Sequence, residues 1–247
     1  MPSLSPHRTE DELRQVNQTF FDDLWRDAWL IGPERFNTWP LVSRLAAVAP
    51  RRLEVAPGLR PRLPIAGTRF VDISPPAIHA LRGGGGVAAR ASITALPFTD
   101  ASFDLVAALD IVEHVDDDDR AFAELVRVAA PGAVLLLSIP LHPSRWTTLD
   151  DIVGHRRRYE PARLLALLAR HGLTVEHTAE YSMQPKSSWL VDYGMKYLVE
   201  QRGKAIWWYN RVFMPLALRF EKKLGLTPGL VDLERADEII LVCRRQR

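Results

Sequence analysis

Two acidic side chains and a glycine have the types and spacing to hold a polar ligand. Glu54 ends the apolar run "RRLEV", Gly58 follows in a turn, and Asp72 ends the next run, "RFVD". The two oxygens of a carboxylate such as Asp72 can bind both hydroxyls of a ribose, while a glycine lets the backbone bend beside the ligand. The alternative for Asp72 is an N-cap role with Ser74 before "PPAIHALR". The residues leave both roles open.

Three histidines are candidates for a general base. His114 and His142 each follow an apolar run, and His155 precedes three arginines. A histidine within reach of an acceptor can remove its proton. For any single one of them, a hydrogen-bonded bridge between loops is the more common role. Because the potential metal ligands are scattered along the chain, we predict no metal site.

Two charged runs have structural alternatives to ligand binding. The tetrad Asp116 to Asp119 begins the helical pattern "RAFAELVRVA". We expect it to cap that helix, because acids at a helix amino terminus are stabilised by the helix dipole. The run Arg156 to Arg158 can bind an acidic substrate or a phosphate through charge-assisted hydrogen bonds, although solvated arginines are the common outcome.

The elements that must position these residues follow an α/β pattern. From Leu53 onward, short and nearly continuous apolar runs alternate with amphipathic stretches, which predicts a doubly wound sheet covered by helices on both faces. Two helical patterns precede it, around "LRQVNQTFFDDLW" and "PLVSRLAAVA". Ligands of such sheets bind at the carboxyl ends of the strands, where Glu54 and Asp72 are placed.

The connection between the first two strands lacks a helical pattern. Only 13 residues separate Gly58 from Asp72, and they include Pro61, Pro64 and Gly67. Because a proline inside a helix costs about 3 kcal/mol, we expect an extended loop. A dinucleotide needs a helix amino terminus for its pyrophosphate, so the missing helix argues against a nicotinamide-dependent dehydrogenase.

The composition argues against a nucleic-acid-binding, disulfide-bonded or membrane-spanning protein. Lys and Arg total 32 against 30 Asp and Glu, and a net charge of +2 gives no reason to expect a nucleic-acid partner. The single cysteine, Cys243, excludes an internal disulfide. The polar amino terminus lacks a secretory pattern, and no apolar run reaches the roughly 20 residues of a membrane span. We therefore expect a cytoplasmic protein.

An ordered set of motifs resembles a known family. Leu96-Pro97-Phe98, "SFDLV" from Ser102, Glu113-His114-Val115 and "PGA" from Pro131 resemble class I S-adenosylmethionine-dependent methyltransferases that act on small molecules. Asp150 and "GHRRRY" from Gly154 match a subset of them. The resemblance covers roughly residues 50 to 180, and it implies a Rossmann-like, seven-stranded sheet with S-adenosylmethionine as cofactor and S-adenosylhomocysteine as product.

The resemblance also assigns cofactor contacts. Ala56 and Gly58 would form the turn under the methionine part with Glu54, and Asp72 would hold the ribose. The remaining positions would contact the adenine or face the methionine and the acceptor: Ile73, Ser92, Ile93, Leu96, Leu109 and Asp110. Ala56 replaces the first glycine of the usual turn, which threatens binding only if that position needs a positive φ.

Two variable regions flank this core. We expect residues 1–48 to form a helical lid, residues 49–184 and 236–247 the cofactor-binding core, and residues 185–235 a helical cap inserted before the last strand. An apolar or aromatic acceptor is suggested by ten of the aromatic residues in these regions: Trp25, Trp29, Phe36, Trp39, Trp189, Tyr193, Tyr197, Trp207, Trp208 and Tyr209. A membrane contact through residues 185–225 is the weaker alternative, and a homodimer stays open.

The function that follows from the resemblance is methyl transfer to oxygen, nitrogen or carbon of a small molecule, in bacterial secondary metabolism. Two alternatives stay open. One is an enzyme of the same fold that catalyses a cyclisation, isomerisation or decarboxylation without methyl transfer. The other is a non-catalytic binding module.

Overall fold

A computed structural model describes residues 10–26, 28–181, 194, 196–198 and 200–247 of the chain. Its strands, in chain order, are β1 Arg52–Val55, β2 Thr68–Asp72, β3 Val87–Arg90, β4 Phe103–Leu109, β5 Ala129–Pro140, β6 Leu173–Glu180, β7 Thr227–Pro228 and β8 Glu238–Arg245. The strands form a single sheet in the order β3-β2-β1-β4-β5-β8-β6-β7.

Helices connect and flank these strands. They are α1 Glu10–Arg26, α2 Trp39–Ala47, α3 Pro75–Gly83, α4 Asp118–Val128, α5 Thr148–Val153, α6 Pro161–Arg170, α7 Arg202–Trp208 and α8 Met214–Phe220. A π-helical segment, Tyr209–Phe213, joins α7 directly to α8. None of the described helices is both long enough and apolar enough to cross a bilayer.

The sheet confirms the predicted doubly wound α/β fold. Strands β3, β2, β1, β4 and β5 are parallel, and β8 runs antiparallel between β5 and β6. The prediction of seven strands was wrong by one. The short strand β7 pairs with β6 and adds an edge to the sheet, and a two-residue strand beside proline and glycine carries too little pattern to be recognised from sequence.

Helices bury both faces of the sheet. On β4, Val106 and Ala108 pack into the core cluster that contains Phe122 of α4 and Leu164 of α6. The alternate residues, such as Leu105, pack into a second cluster with α2. This division of successive residues between two cores explains why β4 is nearly continuously apolar.

The connection from β1 to β2 contains no helix, as the prolines predicted. Instead, the buried carboxylate of Glu54 accepts hydrogen bonds from the backbone N–H groups of Arg62 and Leu63, at 2.8 Å each. The N–H of Ala56 donates to the carbonyl of Val71 at 2.7 Å. One strand-end acid therefore organises the loop that replaces a helix.

The segment before β8 contains α7, α8 and β7. The helical pattern predicted for "AIWWYNRVFMPLALRFEKKLG" is confirmed by α7, the π-helical segment and α8 as far as Phe220, but residues 221–225 are not helical. Most of the other predicted helix, "SSWLVDYGMKYLVEQ", lies outside the described residues. The two helical patterns predicted before the first strand correspond to α1 and α2.

Candidate cofactor and acceptor site

The carboxyl ends of β1, β2 and β4 lie side by side, because β1 pairs in parallel with both neighbours. The turn at Ala56 to Gly58 follows β1, Asp72 ends β2, and Asp110 follows β4. The structure therefore brings together the acids and the glycine turn that the sequence places at one edge. This edge is where open α/β sheets bind their ligands.

Asp72 is held by backbone donors. Its Oδ2 accepts from the N–H of Gly58 at 2.9 Å, and its Oδ1 accepts from the N–H of Ser74 at 2.8 Å. The side chain of Ser74 makes no cap hydrogen bond to α3. Each carboxylate oxygen can accept a further hydrogen bond, so this geometry keeps capacity for the two hydroxyls of a ribose.

The turn after β1 uses left-handed backbone at two positions. Gly58 has a φ of +57°, and Ala56 has a φ of +56°. The positive φ that would make alanine costly at this position is therefore present. For a residue with a Cβ, the left-handed conformation costs roughly 1–2 kcal/mol, so the turn keeps the conformation of a glycine turn despite Ala56.

Glu54 is fully buried beneath this turn. Burial raises its pKa to about 7, while the N–H groups of Arg62 and Leu63 and the charge of Arg62 oppose the rise. Both carboxylate oxygens already accept backbone hydrogen bonds. Glu54 thus supports the floor of the site through the loop, in addition to any contact it makes with a ligand.

Two buried polar residues beside this loop, Arg62 and Tyr181, were missed from the sequence. The buried guanidinium of Arg62 donates to the hydroxyl of Tyr181 at 2.9 Å and lies 3.6 Å from the ring centroid of Phe36. Tyr181 directly follows β6, so the rule that ligands meet strand ends would have pointed to it. Arg62 lies in a proline-rich stretch, and its burial has no local sequence signal.

Asp110 also has positive φ, +53°, directly after β4. Its N–H donates to the hydroxyl of Ser138 at 2.8 Å, and that hydroxyl donates to its Oδ1 at 2.5 Å. The neighbouring strand β5 therefore fixes the carboxylate. Aspartate tolerates left-handed backbone better than most residues, which suits it to this bend.

The predicted adenine end is mostly core. Ile93 and Leu96 are buried in the main cluster. Leu109, which was predicted to face the methionine and the acceptor instead, packs at the edge of the second cluster. The hydroxyl of Ser92 lies 2.8 Å from that of Thr94 and accepts from its N–H. Ile73, by contrast, is 40% exposed. Its side chain is the apolar surface in this group that is open to pack on a ring.

Two of the three candidate histidines meet. The rings of His114 and His155 have centroids 4.5 Å apart in an edge-to-face arrangement, and Phe21 of α1 packs against His114. Burial lowers the pKa of His114 well below its usual value, and the charge of His155 adds to the effect. Burial raises the pKa of the adjacent Glu113 well above its usual value, with the charge of Asp110 acting in the same direction.

Asp150 anchors this histidine pair. Its fully buried carboxylate accepts from Nδ1 of His155 at 2.8 Å and from Nε and Nη2 of Arg158 at 3.0 Å each. It also closes a capping box with Thr147 at the start of α5. Despite its burial, these donors hold the pKa of Asp150 well below its usual value.

His142 is separated from this pair by its own contact. Its Nε2 lies 2.9 Å from the carbonyl of Leu233, and its backbone has a φ of +60°. The ring therefore bridges two loops, the role that we considered more common for any one of the histidines. Its catalytic role stays a prediction.

Two arginines of the basic run pair with the acidic run, and the third pairs with Asp150. Arg156 contacts Asp116, Arg157 contacts Asp118 and Arg158 contacts Asp150, and all three arginine side chains are largely buried. The expectation of solvated arginines was wrong. Asp117 confirms the predicted cap by accepting from the N–H of Arg120. Because the acidic run supplies partners for Arg156 and Arg157, the burial of these arginines could not be predicted from the basic run alone.

Helix α1 lies over the glycine turn. A Cβ added at Gly58 would lie 2.3 Å from the ring of Trp25. The guanidinium of Arg60 is 5.1 Å from the ring centroids of both Trp25 and Tyr209. In addition, the side-chain amide of Asn210 donates to the carbonyl of Leu24 at 2.8 Å. The loop after β1, α1 and the π-helical segment therefore meet above the sheet edge.

The residues at this edge fit S-adenosylmethionine better than a dinucleotide. Burial raises the pKa of both Glu54 and Asp72, and a nearby positive charge favours the ionised form of such carboxyls. S-adenosylmethionine carries a sulfonium and an ammonium group and no phosphate. A pyrophosphate would meet acids, and it would lack the helix amino terminus that it needs after β1.

Similar proteins agree with this fit. Residues 60–137 match the family described as a methyltransferase domain. Over 91 residues the chain is 36% identical to a probable S-adenosylmethionine-dependent methyltransferase of Mycolicibacterium smegmatis, a match that covers 35% of each protein. An uncharacterized methyltransferase of Mycolicibacterium gilvum is 29% identical over 152 residues, 58% of this chain and 52% of the relative. The chain thus matches only about a third to a half of these relatives' lengths.

Solved structures share the fold. A possible histamine N-methyltransferase from Thermotoga maritima has a TM-score of 0.60 at 14% identity, covering 95% of this chain and all of that one. The [4+2]-cyclase SpnF has a TM-score of 0.57 at 18% identity, covering 99% of each chain. At these identities the likeness describes the architecture alone.

Proposed function

We propose that this chain, which carries the methyltransferase domain and the fold of class I S-adenosylmethionine-dependent methyltransferases, transfers a methyl group to a small apolar or aromatic molecule. The proposal rests on the Asp72 clasp, which we define as the carboxylate of Asp72 together with the backbone N–H groups of Gly58 and Ser74 that donate to it. Two backbone N–H groups fix its carboxylate at the sheet edge and leave each oxygen able to accept from a ribose hydroxyl.

The chain's own residues divide the work of holding the cofactor. When bound, S-adenosylmethionine supplies a methyl group already activated by its sulfonium. Asp72 holds the ribose, Ile73 packs on the adenine, and the turn at Ala56 to Gly58 lies under the methionine part. Asp110, fixed by Ser138, offers a carboxylate to the positive charges of the cofactor.

The side chains of α1 that face the proposed acceptor are largely apolar. Phe21 and Trp25 of α1 stack on one another with ring centroids 6.0 Å apart, and Phe21 reaches His114. We propose that residues 1–48 act as a lid and residues 185–235 as a cap. Their meeting point at Trp25, Arg60 and Tyr209 supports this division.

Positioning supplies most of the catalysis in this proposal. Methyl transfer requires the acceptor atom to lie in line with the methyl carbon, which is a matter of proximity and orientation. His114 follows β4, and His155 packs against it from the end of α5. Of the two, His155 has its ring oriented by Asp150, so an acceptor that must lose a proton finds an imidazole of fixed direction.

Incubation with methyl-labelled S-adenosylmethionine and a panel of phenols, amines and aromatic carbon acids tests this function. The expected result is label in an organic product and formation of S-adenosylhomocysteine. An Asp72→Asn variant should lose both, while Asp100→Asn, at a loop distant from the clasp in sequence and paired with Arg127, should keep both.

A second candidate is catalysis without methyl transfer, such as cyclisation of a small molecule. Ala56 in a left-handed conformation motivates it, since the glycine turn is altered. The likeness to the cyclase SpnF is one of fold and does not decide the chemistry. Tight S-adenosylmethionine binding with no label in any product would favour this candidate. The absence of any binding would favour a non-catalytic module.

A further inference from the structure

Three side chains in the acceptor region converge in a way that the sequence did not predict. Glu113 and His114 follow β4, and His155 follows α5, yet one ligand atom from each lies within 4.8 Å of the others. We had expected the potential ligands to be scattered, and for these three that expectation was wrong. We propose that Glu113, His114 and His155 bind a divalent transition-metal cation beside the acceptor.

An unsatisfied carboxylate oxygen points to the same conclusion. The side chain of Glu113 is 1% exposed. Its Oε2 has no hydrogen-bond partner among the described residues. A buried polar atom without a partner costs free energy, and such atoms in native structures commonly mark a missing water or ion. A cation bound between the histidines and both carboxylate oxygens of Glu113 would satisfy this oxygen.

The residues around the cluster orient its ligands. Nδ1 of His155 lies 2.8 Å from Oδ1 of Asp150, and Nε2 of the same ring lies 3.8 Å from Oε1 of Glu113. With the proton on Nδ1, Nε2 keeps a lone pair that can bind a cation. Carboxylates that fix a histidine in this way are typical of metal sites, where they set the tautomer and the direction of the ligand.

The ligand types select the class of cation. Two imidazoles and one carboxylate suit zinc, manganese, iron or cobalt, whereas magnesium and calcium prefer oxygen ligands. Ligands about 2.1 Å from one ion lie at most about 4.2 Å apart, and the 4.8 Å limit on the separations of the three ligand atoms is only slightly larger. A shift of this size is within the reach of a side-chain torsion.

The surrounding charges permit a cation. Arg158 and Arg156 are near the cluster, but each is paired with an acid, Asp150 and Asp116 respectively. Asp110 adds negative charge toward Glu113. Three protein ligands leave coordination positions open. An oxygen or nitrogen of the acceptor can occupy one of them, and the ion would then lower the pKa of that group.

This inference does not depend on methyl transfer, because metal binding is measured without cofactor or acceptor. If the ion binds, His114 and His155 act as ligands, and activation of the acceptor passes from an imidazole to the ion. Failure of metal binding would leave the proposed methyl transfer with its histidine base. Failure of methyl transfer would leave the metal site intact.

Titration of the chelator-treated 247-residue chain with Co²⁺, followed by visible absorption, tests the site. We expect one Co²⁺ per chain with ligand-field bands typical of nitrogen and oxygen ligands, and displacement by Zn²⁺. Glu113→Gln and His155→Ala should each lower Co²⁺ affinity at least about 100-fold. His79→Ala, which removes an exposed histidine of α3, should leave the affinity unchanged.

The Glu113→Gln variant also distinguishes loss of the metal site from unfolding as the cause of a lower Co²⁺ affinity. It replaces a buried carboxyl by a neutral group of the same size, so the metal-free melting temperature should stay at or above that of the original protein. Only the increase caused by Zn²⁺ should disappear. Sub-stoichiometric binding, or equal Co²⁺ affinity in Glu113→Gln, His155→Ala and the original protein, would overturn the proposal.

Discussion

The two halves of the proposed site provide hydrogen-bond partners for their buried acids in different ways. In the cofactor half, residues 54–74, Glu54 and Asp72 each accept hydrogen bonds from two backbone N–H groups. In the acceptor half, residues 113–158, Asp150 is paired with the side chains of Arg158 and His155, and one oxygen of Glu113 has no partner among the described residues.

In the cofactor half, every oxygen of the two buried carboxylates therefore has a hydrogen-bond partner without a ligand, whereas one carboxylate oxygen of the acceptor half still lacks a partner among the described residues. The donors in the cofactor half are backbone N–H groups, whose positions are set by the backbone conformation. This half therefore keeps its shape although the helix after β1 is missing and Ala56 replaces a glycine. The acceptor half depends on charged side chains, whose removal leaves a buried charge unpaired. Substitutions should therefore affect the acceptor half through ion pairs and the cofactor half through backbone conformation.

The largest expected effect is at the centre of the acceptor half. Asp150→Asn removes the charge that pairs with buried Arg158, and loss of one partner of a buried ion pair typically costs about 3–5 kcal/mol. We expect urea unfolding to show a loss of that size in the free energy of unfolding. Asp151→Asn, the same change one residue later, should cost less than about 1 kcal/mol. Similar losses in both variants would contradict the network.

The cofactor half should show its own pH dependence through Glu54. Its pKa is about 7 in the folded protein against 4.5 as the reference, a difference worth about 3 kcal/mol. A raised pKa means that the folded state binds the proton more tightly. This contribution is therefore complete below pH 4.5 and is lost as the pH rises through 7.

Urea unfolding of the original protein and Glu54→Gln between pH 4.5 and 8 measures this effect. The stability of the variant relative to the original protein should increase by about 3 kcal/mol across that range. Glu160→Gln, at an exposed position before α6, should show no such trend. A constant difference between Glu54→Gln and the original protein would show that Glu54 does not titrate there.

Gly58→Ala tests whether backbone conformation controls the cofactor half. The new Cβ would require left-handed backbone, which costs roughly 1–2 kcal/mol, and it would lie 2.3 Å from Trp25. We expect a total loss of about 2 kcal/mol, measured by urea unfolding. Adding Trp25→Ala should make the Gly58→Ala change less costly, because only the backbone term remains. Equal costs in both backgrounds would refute the contact.

The smallest effect should be a gain. Ala56→Gly relieves left-handed backbone at a φ of +56°, which should stabilise the protein by about 1 kcal/mol after the added flexibility of the unfolded chain is counted. Ala101 also has positive φ and lies outside the site. Ala101→Gly should therefore give a similar gain in stability without changing cofactor affinity. If Ala56→Gly destabilises the protein, the turn is not strained.

The sequence predicted the features that repeat or that follow strand ends. The alternation of strands and helices, the loss of the helix after β1 and the position of Asp72 all have local signals in apolar runs and prolines. The burial of Arg62 and the pairing of the arginine and aspartate runs have none, because they depend on residues 40 to 120 positions away. The meeting of Glu113 and His155 across β5 and α5 has the same cause.

The positive φ of Ala56 illustrates a third case. The sequence identified the position and the condition under which it would matter, but the conformation could come only from the structure. Similarly, the ring of His142 proved to bridge two loops, a role that its sequence position left open.

Calorimetric titration of the original protein and of Asp72→Asn with S-adenosylhomocysteine tests the cofactor site. We expect one saturable site per chain in the original protein and at least about a tenfold loss of affinity in the variant, with the variant's thermal unfolding still cooperative. No binding to the original protein, or equal binding to both, would contradict the assignment of Asp72 and its clasp as the cofactor site.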